Sequence, residues 1–128
     1  MFLIFAPSIA FADPCAAPLP QRAGESFTGV VRYVGDGDSL CVGADNDPSR
    51  WVEVRLVDFD APELGSSEGP RSKAMLEQLA LGRQARCESR RGRNGRVRSY
   101  DRVIAVCRIG GRSIGDLLRE AHAPVGGN

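Results

Sequence analysis

The sequence predicts a small α+β protein in which five short strands close into a barrel of the OB type, with one helix after the third strand and one C-terminal helix. Three observations predict this architecture. The 128 residues suffice for one domain with a single core. Five segments have the pattern of strands, and two have the apolar spacing of amphipathic helices. Other small α+β folds fit the same order of elements on periodicity alone.

The predicted strands are short and separated by turn residues. In order, they are FTGVVRYV (27–34), SLCVG (39–43), RWVEVRLVDF (50–59), RQARCES (83–89) and DRVIAVCRI (101–109). The first two flank Gly35-Asp36-Gly37-Asp38, which is typical of a hairpin turn. The third ends in the acidic turn Asp60-Ala61-Pro62-Glu63.

Both predicted helices have recognisable ends. The first, RSKAMLEQLALG (71–82), has its stop at Gly82. The second begins after Ser113, a good N-cap with Asp116 at N3. The residues expected in the core are Met75, Leu76, Leu79 and Ala80 of the first helix and Ile114, Leu117, Leu118 and Ala121 of the second.

The N-terminal segment has the composition of a secretory signal. Residues 1–12, MFLIFAPSIAFA, are apolar and uncharged, and they end in the small-x-small pattern Ala10-Phe11-Ala12. We expect cleavage after Ala12; a buried N-terminal strand or helix is the alternative. Residues 13–26 are predicted to form an irregular leader, and residues 27–125 the folded domain.

Four cysteines indicate disulfide bonds in an oxidising compartment. None forms a C-x-x-C pair, and His122 is the sole histidine, which disfavours a zinc site. Cys87 and Cys107 lie in two predicted strands joined by a polar loop, so we expect a cross-strand bridge between them. A bridge between Cys15 and Cys41 follows by elimination.

Charge is distributed asymmetrically, although the net charge is only +1. Residues 27–70 contain nine acidic residues and three arginines, whereas residues 83–102 contain eight arginines and two acidic residues. Of the 17 basic residues, Lys73 is the single lysine. A planar guanidinium matches phosphate bidentately, so the arginine-rich loop is a candidate phosphate-binding surface. Solvated surface charge and a GC-rich genome are the alternative explanations.

Two carboxylate clusters form the candidate chemical centre. Asp36-Gly37-Asp38 alone is a common turn, but a small barrel can bring it beside Asp60-Ala61-Pro62-Glu63. Several carboxylates in one cleft repel each other and require a cation. Ligands that are all oxygen favour Ca²⁺ or Mg²⁺ over zinc. A serine or cysteine nucleophile is disfavoured because His122 has no evident partner.

Five segments together form a more specific pattern. They are VGDGDSL (34–40), VRLVDFDAPEL (54–64), Gly69-Pro70, SYDRVIAVC (99–107) and IGDLLREAHA (114–123). In order and spacing they resemble the staphylococcal nuclease-like, or thermonuclease, family over residues 27–125. The resemblance implies an OB-fold barrel and Ca²⁺-dependent hydrolysis of phosphodiester bonds.

The resemblance also implies roles for individual residues. The implied metal ligands are Asp38, Asp60 and the backbone carbonyl of Ala61, with Asp36 behind them. The implied catalytic residues are Arg55, Arg102 and, as general base, Glu63; the implied substrate contact is Tyr100. Attack on a phosphodiester adds negative charge to an anionic centre, so arginines and a cation supply the stabilisation that this chemistry needs.

Some positions depart from the family pattern. The departures are Ser39 and Ala61 in place of threonines, Asp101 in place of glycine, Ser99 in place of a basic residue, and a chain end without the family's long C-terminal helix. Structural roles are the alternative for both arginines: Arg55 would pair with Asp58 or Glu53, and Arg102 with Asp101.

We therefore expect a secreted or periplasmic Ca²⁺-dependent nuclease that acts on DNA or RNA as a monomer, without stable membrane association. Two other functions remain open. One is a module of the same family that binds nucleic acid without cutting it, and the other is a small disulfide-stabilised envelope protein with a structural Ca²⁺. The joint presence of Asp38, Asp60, Glu63, Arg55 and Arg102 favours the nuclease, because binding alone requires no base.

Overall fold

The computed structural model describes residues 13–126. The proposed signal, residues 1–12, lies outside them. The strands within the described part are β1 (Ser26–Asp36), β2 (Ser39–Gly43), β3 (Val52–Leu56), β4 (Gln84–Ser89), β5 (Arg98–Ser99), β6 (Arg102–Ile109) and β7 (Arg112–Ser113). The helices are α1 (Gly69–Ala80) and α2 (Ile114–Glu120), with a 3₁₀ turn at Pro48–Arg50.

Five of these strands form a closed barrel. β1 pairs antiparallel with β2 and with β4, β2 pairs with β3, and β4 pairs with β6. A parallel pairing of β3 with β6 closes the ring. The two-residue strands β5 and β7, which the sequence pattern did not predict, pair with β6. The predicted five-stranded barrel of the OB type, with its two helices, is confirmed.

The hydrophobic core fills the barrel and extends beneath both helices. The largest fully buried side chains come from the strands and both helices: Leu40, Leu56, Leu76, Ile114 and Leu118. Met75, Leu79 and Leu117 pack at the edge of this cluster. Each fully buried leucine or isoleucine stabilises the fold by about 1.5–3 kcal/mol relative to exposure.

The helix ends confirm the predicted capping residues. The Ser113 hydroxyl accepts a hydrogen bond from the Asp116 amide at 3.0 Å, which satisfies one free N–H of α2. α1 ends at Ala80, and Gly82 follows with φ of +81°, a conformation that glycine adopts without strain. α1 begins at Gly69, two residues before the segment with apolar spacing and at the Gly69-Pro70 start that the family resemblance implies. Pro70 is tolerated there because it lies in the first turn.

The third strand is shorter than predicted. The pattern indicated residues 50–59, whereas β3 spans Val52–Leu56. The Arg55 guanidinium donates hydrogen bonds to the carbonyls of Leu56 and Phe59, the latter at 2.8 Å. The chain therefore turns around this side chain and leaves the ladder before the hydrophobic pattern ends.

Two disulfide bonds cross-link the molecule, and both have the predicted pairing. Cys87 and Cys107 face each other across β4 and β6, with Cα atoms 4.0 Å apart. The bond between Cys15 and Cys41 ties residues 13–25 to β2, with Cα atoms 5.9 Å apart. Both bonds indicate an oxidising environment. No helix in the described part of the chain is long and apolar enough to cross a membrane.

Replacing both Cys87 and Cys107 with alanine is expected to lower the free energy of unfolding by about 3 kcal/mol. The reason is that the disulfide restricts the unfolded chain by closing a loop between the two cysteines. The two cysteines are 20 residues apart in sequence. Urea denaturation of the variant and the wild type measures the difference. Wild-type protein with both disulfides reduced is the comparison, and it should be at least as destabilised; an unchanged midpoint in the variant would contradict the expectation.

Candidate functional site

The parallel pairing of β3 and β6 places two arginines on neighbouring strands. Arg55 lies opposite Ile104 in the ladder. Side chains alternate along a strand, so Val54 is buried in the core while Glu53 and Arg55 share the outer face. Arg102 precedes Ile104 by two residues on β6 and therefore lies on the same outer face.

The Asp36-Gly37-Asp38 turn is held rigidly at one end of this face. One Asp36 oxygen accepts hydrogen bonds from the Asp38 amide at 3.1 Å and from the Ser39 hydroxyl at 2.8 Å. Gly37 packs against α1 so closely that a Cβ there would lie 2.0 Å from the Ser72 hydroxyl oxygen. The turn therefore requires glycine at position 37, because a side chain there would collide with Ser72.

Arg55 lies between the two predicted carboxylate ligands. Its Nη2 atom is 3.3 Å from an Asp38 oxygen and 2.5 Å from an Asp60 oxygen. The same Asp38 oxygen accepts a hydrogen bond from the Ala61 amide at 2.8 Å, which fixes the Asp60-Ala61 turn against the hairpin. Both carboxylates thus converge on one positive centre, and Arg55 pairs with them instead of with Asp58 or Glu53.

The environment separates the pKa values of these carboxyl groups. Burial raises the pKa of Asp38 to about 7, and the neighbouring Asp36 adds to the rise, although the Ala61 amide and Arg55 oppose it. Burial also opposes ionisation of Asp36, but its hydrogen bonds with Asp38 and Ser39 lower its pKa overall. A bound cation would favour the ionised form of Asp38.

Asp60 remains ionised because guanidinium groups surround it. Burial alone would raise its pKa, but Arg55 and then Arg93 outweigh that effect and lower it. Arg93, from the loop between β4 and β5, forms an ion pair with the Asp60 oxygen that Arg55 does not contact. Asp60 therefore carries a full negative charge shared between two arginines.

The backbone carbonyl of Ala61, predicted as a ligand, lies against the C-terminal segment. The Gly126 amide donates to the Asp60 carbonyl at 2.8 Å. A Cβ at Gly126 would lie 2.5 Å from the Ala61 carbonyl oxygen. The last described residues thus pack beside this carbonyl.

An open cleft of about 530 Å³ begins at the Arg55–Asp60 pair. Its lining combines an apolar floor with cationic and polar walls: Leu56, Val57 and Ile104 below, and Arg55, Arg91, Arg93, Asn94 and Ser99 around them. A smaller cleft of about 300 Å³ lies on the other side of Asp60 and Arg93, and Arg119 lines it. Apolar surface framed by guanidinium groups suits a ligand that has both a ring and a phosphate.

Arg102 and Tyr100 line a third cleft, of about 350 Å³, beside the hairpin. Tyr100 is 94% exposed and has a φ of +57°. This left-handed conformation is uncommon for a bulky residue and turns the ring toward solvent. Asp36 and Glu53 line the same cleft, so Arg102 faces carboxylates as well as the ligand space.

Glu63, the predicted base, is not drawn into this group. It is exposed in the loop before α1, and its carbonyl accepts hydrogen bonds from the Ser66 amide and hydroxyl. Its carboxylate makes no ion pair or hydrogen bond within residues 13–126. The structure thus brings Asp36, Asp38, Asp60 and Arg55 together, places Arg102 and Tyr100 at an adjoining cleft, and leaves Glu63 in the loop.

A cation fits this centre only in part through side chains. Within residues 13–126, no group of three or more Asp, Glu, His or Cys side chains is placed to hold a metal ion. Asp38 and Asp60 nevertheless direct oxygens at one cationic atom, Arg55 Nη2. Because Ca²⁺ also accepts water and backbone carbonyls, these two carboxylates fit part of its ligand set.

Three residues near the site were not predicted from the sequence. Arg93 lies in the arginine-rich loop, and the sequence pattern does not distinguish it from the other arginines there. Glu53 is 4% exposed, and the leader places Asp13 beside it. The signal for Glu53 was its position opposite Cys41 in the β2–β3 ladder, since the disulfide at Cys41 brings the leader over that part of the sheet.

Comparison of the sequence with protein-family models finds no match, and comparison with the curated proteins finds no similar sequence. The resemblance to the staphylococcal nuclease-like family therefore depends on the sequence motifs alone.

Glu53 should make stability depend on pH. Burial, then a hydrogen bond with Asp13, raises its pKa from 4.5 to about 8. Between these values the folded protein binds a proton that the unfolded chain has released, so this contribution to stability is full below about pH 4.5 and is lost as the pH rises through about 8. Glu53→Gln, which resembles the protonated form, should therefore be more stable than wild type at pH 9, with a smaller difference at pH 5.

Urea midpoints at the two pH values measure this effect. Glu88→Gln is the control, because Glu88 forms a partly exposed pair with Arg90. An equal pH dependence for Glu53→Gln and wild type would show that Glu53 titrates normally.

Proposed function

We propose that the protein is a Ca²⁺-dependent nuclease that hydrolyses phosphodiester bonds of DNA or RNA. The observation that carries the proposal is the convergence of Asp38 and Asp60 on Arg55, since Arg55 and Asp60 also line a cleft with Arg91 and Arg93. Carboxylates that gather a hard cation and arginines that grip phosphate are the two requirements of phosphodiester hydrolysis without histidine.

The cleft supports the choice of substrate. Its apolar floor offers a surface for a nucleobase or sugar, and its walls offer guanidinium groups for the backbone. Nucleic-acid binding depends strongly on such phosphate contacts. The arginine-rich segment, residues 83–102, supplies most of this positive charge, whereas Asp38 and Asp60 come from the acidic half of the chain.

Each residue has a distinct role in the proposed reaction. Asp38 and Asp60 would hold Ca²⁺, which supplies positive charge beside the scissile phosphate. Arg55 would keep one donor on the turn carbonyls and direct its other nitrogens at a phosphoryl oxygen, while Arg102 would bind from the neighbouring strand. Glu63 would act as general base after its loop moves toward the cleft.

The position of Glu63 favours one competing function, nucleic-acid binding without cleavage. Among the described residues, the Glu63 carboxylate forms no hydrogen bond or ion pair with Asp38, Asp60 or Arg55, so nothing in the structure fixes it beside them. The cleft and the arginines would still bind a strand. Cleavage therefore has to be measured separately from binding.

We also propose that the protein is exported from the cytoplasm and acts as a monomer. The two disulfides support an oxidising compartment. The apolar residues 1–12 would then be the signal that directs the chain there.

Ca²⁺ should stabilise the wild-type protein by about 2.7 kcal/mol at a concentration a hundred times its dissociation constant, which raises the Tm by several degrees. Asp60→Asn and Asp38→Asn should abolish the shift, because each removes a carboxylate ligand. Asp45→Asn is the matched control, since it changes the same charge at an exposed pair with Arg50. Differential scanning calorimetry with Ca²⁺ or chelator gives the result; equal shifts in all four proteins would place the ion elsewhere.

With Ca²⁺, the wild type should cleave single-stranded DNA or RNA, and a chelator should abolish cleavage. Arg55→Gln should reduce kcat about 10²–10³-fold because it removes transition-state charge stabilisation. Glu63→Gln should reduce it about 10²–10⁴-fold if the loop delivers the base. Arg112→Gln, remote from the clefts and paired with Glu120, and Glu68→Gln are the matched controls.

The outcomes separate the candidate functions. Absence of cleavage with any divalent cation, with oligonucleotide binding retained, would replace the nuclease by the binding module. Cleavage that is unaffected by Glu63→Gln would show that another group activates the water.

A further inference from the structure

Arg93 combines an ion pair at the site with high exposure. It forms an ion pair with Asp60, a proposed metal ligand, and its side chain is still 78% exposed. It also lines both clefts that meet at Asp60. An exposed guanidinium therefore lies between the proposed metal ligand Asp60 and the clefts proposed to receive the substrate.

The loop that carries Arg93 is ordered without the Arg93 side chain. Within it, the Gly95 amide donates to the Gly92 carbonyl at 2.9 Å, and the Gly92 amide donates to the Arg96 carbonyl at 2.7 Å. The Asn94 side chain accepts from the Arg96 amide at 3.0 Å. Because these bonds hold the tip in place, the Arg93 guanidinium can change partners while its backbone stays.

The two arginines on Asp60 are not equally replaceable. Arg55 is largely buried, and it also binds Asp38 and the Phe59 carbonyl. Among the described residues, Arg93 has Asp60 as its only side-chain partner. A cation that binds Asp60 through the oxygen that Arg93 contacts displaces Arg93 and leaves Arg55 on the other oxygen. Arg93 then loses one side-chain partner, whereas Arg55 would also lose Asp38 and the Phe59 carbonyl.

We propose that Arg93 alternates between two anions: it binds Asp60 when no cation is present, and it binds a phosphate of the nucleic-acid substrate once a cation occupies Asp60. The inference rests on the proposed function and adds a substrate-positioning residue to it. The guanidinium fork fits a phosphate as well as a carboxylate. Cation and nucleic acid then bind cooperatively, because the cation releases the residue that receives the strand.

The first experiment measures Ca²⁺ binding by isothermal titration calorimetry without nucleic acid. Arg93→Gln removes a competitor for Asp60, so it should tighten Ca²⁺ binding roughly twofold to fivefold, as expected for an exposed ion pair. Arg96→Gln changes the same charge in the same loop outside the clefts, and it should have a smaller effect. Equal affinities in these two variants would overturn the proposal.

The second experiment measures binding of a fluorescent single-stranded oligonucleotide by anisotropy. All proteins carry Glu63→Gln to slow cleavage, and a gel confirms that the probe stays intact. With Ca²⁺, Arg93→Gln should weaken binding about tenfold, as for the loss of one charged hydrogen bond. With chelator it should have no more effect than Arg96→Gln, because Asp60 holds Arg93. A loss of equal size in both conditions would show that Arg93 is only a fixed phosphate contact.

Asp60→Asn provides the decisive comparison, since it releases Arg93 without a metal. In chelator, the Arg93→Gln substitution should weaken binding in the Asp60→Asn background but not in the Asp60 background. The absence of this difference would overturn the proposal even if the protein cleaves nucleic acid. Conversely, the Ca²⁺ and anisotropy results can hold in a protein that never cleaves, in which case the exchange stands and the nuclease assignment fails.

Discussion

The parallel pairing of β3 with β6 is the contact on which the candidate site depends. It closes the barrel by joining Val54 to Val103 and Leu56 to Ala105, segments almost fifty residues apart in the chain. The β1–β4 ladder already joins the acidic segment to the arginine-rich segment, and this closure joins them a second time at the site. With it, Arg55 lies on the seam between them. The antiparallel β2–β3 ladder places Ser39 opposite Arg55, which brings the hairpin carboxylates within reach.

Local patterns were sufficient to predict most of the fold. The strands were identifiable because their alternating side chains fill a small core, and the pairing of Cys87 with Cys107 followed from two strands joined by one loop. The end of β3 was not predictable in this way. The apolar pattern continues to Phe59, but β3 ends at Leu56, where the Arg55 guanidinium binds the carbonyls of Leu56 and Phe59. Local sequence propensities do not predict a hydrogen bond from a side chain to nearby backbone carbonyls.

The site residues that could be predicted from the sequence are those next to strands. Asp38 and Asp60 end or flank strands whose register the barrel fixes, and the structure brings them together. Arg93 belongs to a loop whose course is set by its internal hydrogen bonds, so no pattern distinguishes it from its neighbours. The contact of Asp13 with Glu53 depends on the path of an irregular leader. Glu63 lies in the loop before α1, where no strand pairing positions its carboxylate.

The tether between Cys15 and Cys41 has a consequence for the acidic face of the barrel. Two carboxyl groups, Asp13 and Glu53, lie side by side there, and like charges on separate segments normally move apart. A noncovalent leader could relieve that repulsion by peeling away from the sheet. The covalent link between Cys15 and Cys41 holds the leader on the sheet, where burial first and then Asp13 raise the pKa of Glu53. A cross-link that would ordinarily be considered only a stabilising element thus also keeps a second carboxyl group beside a buried acid.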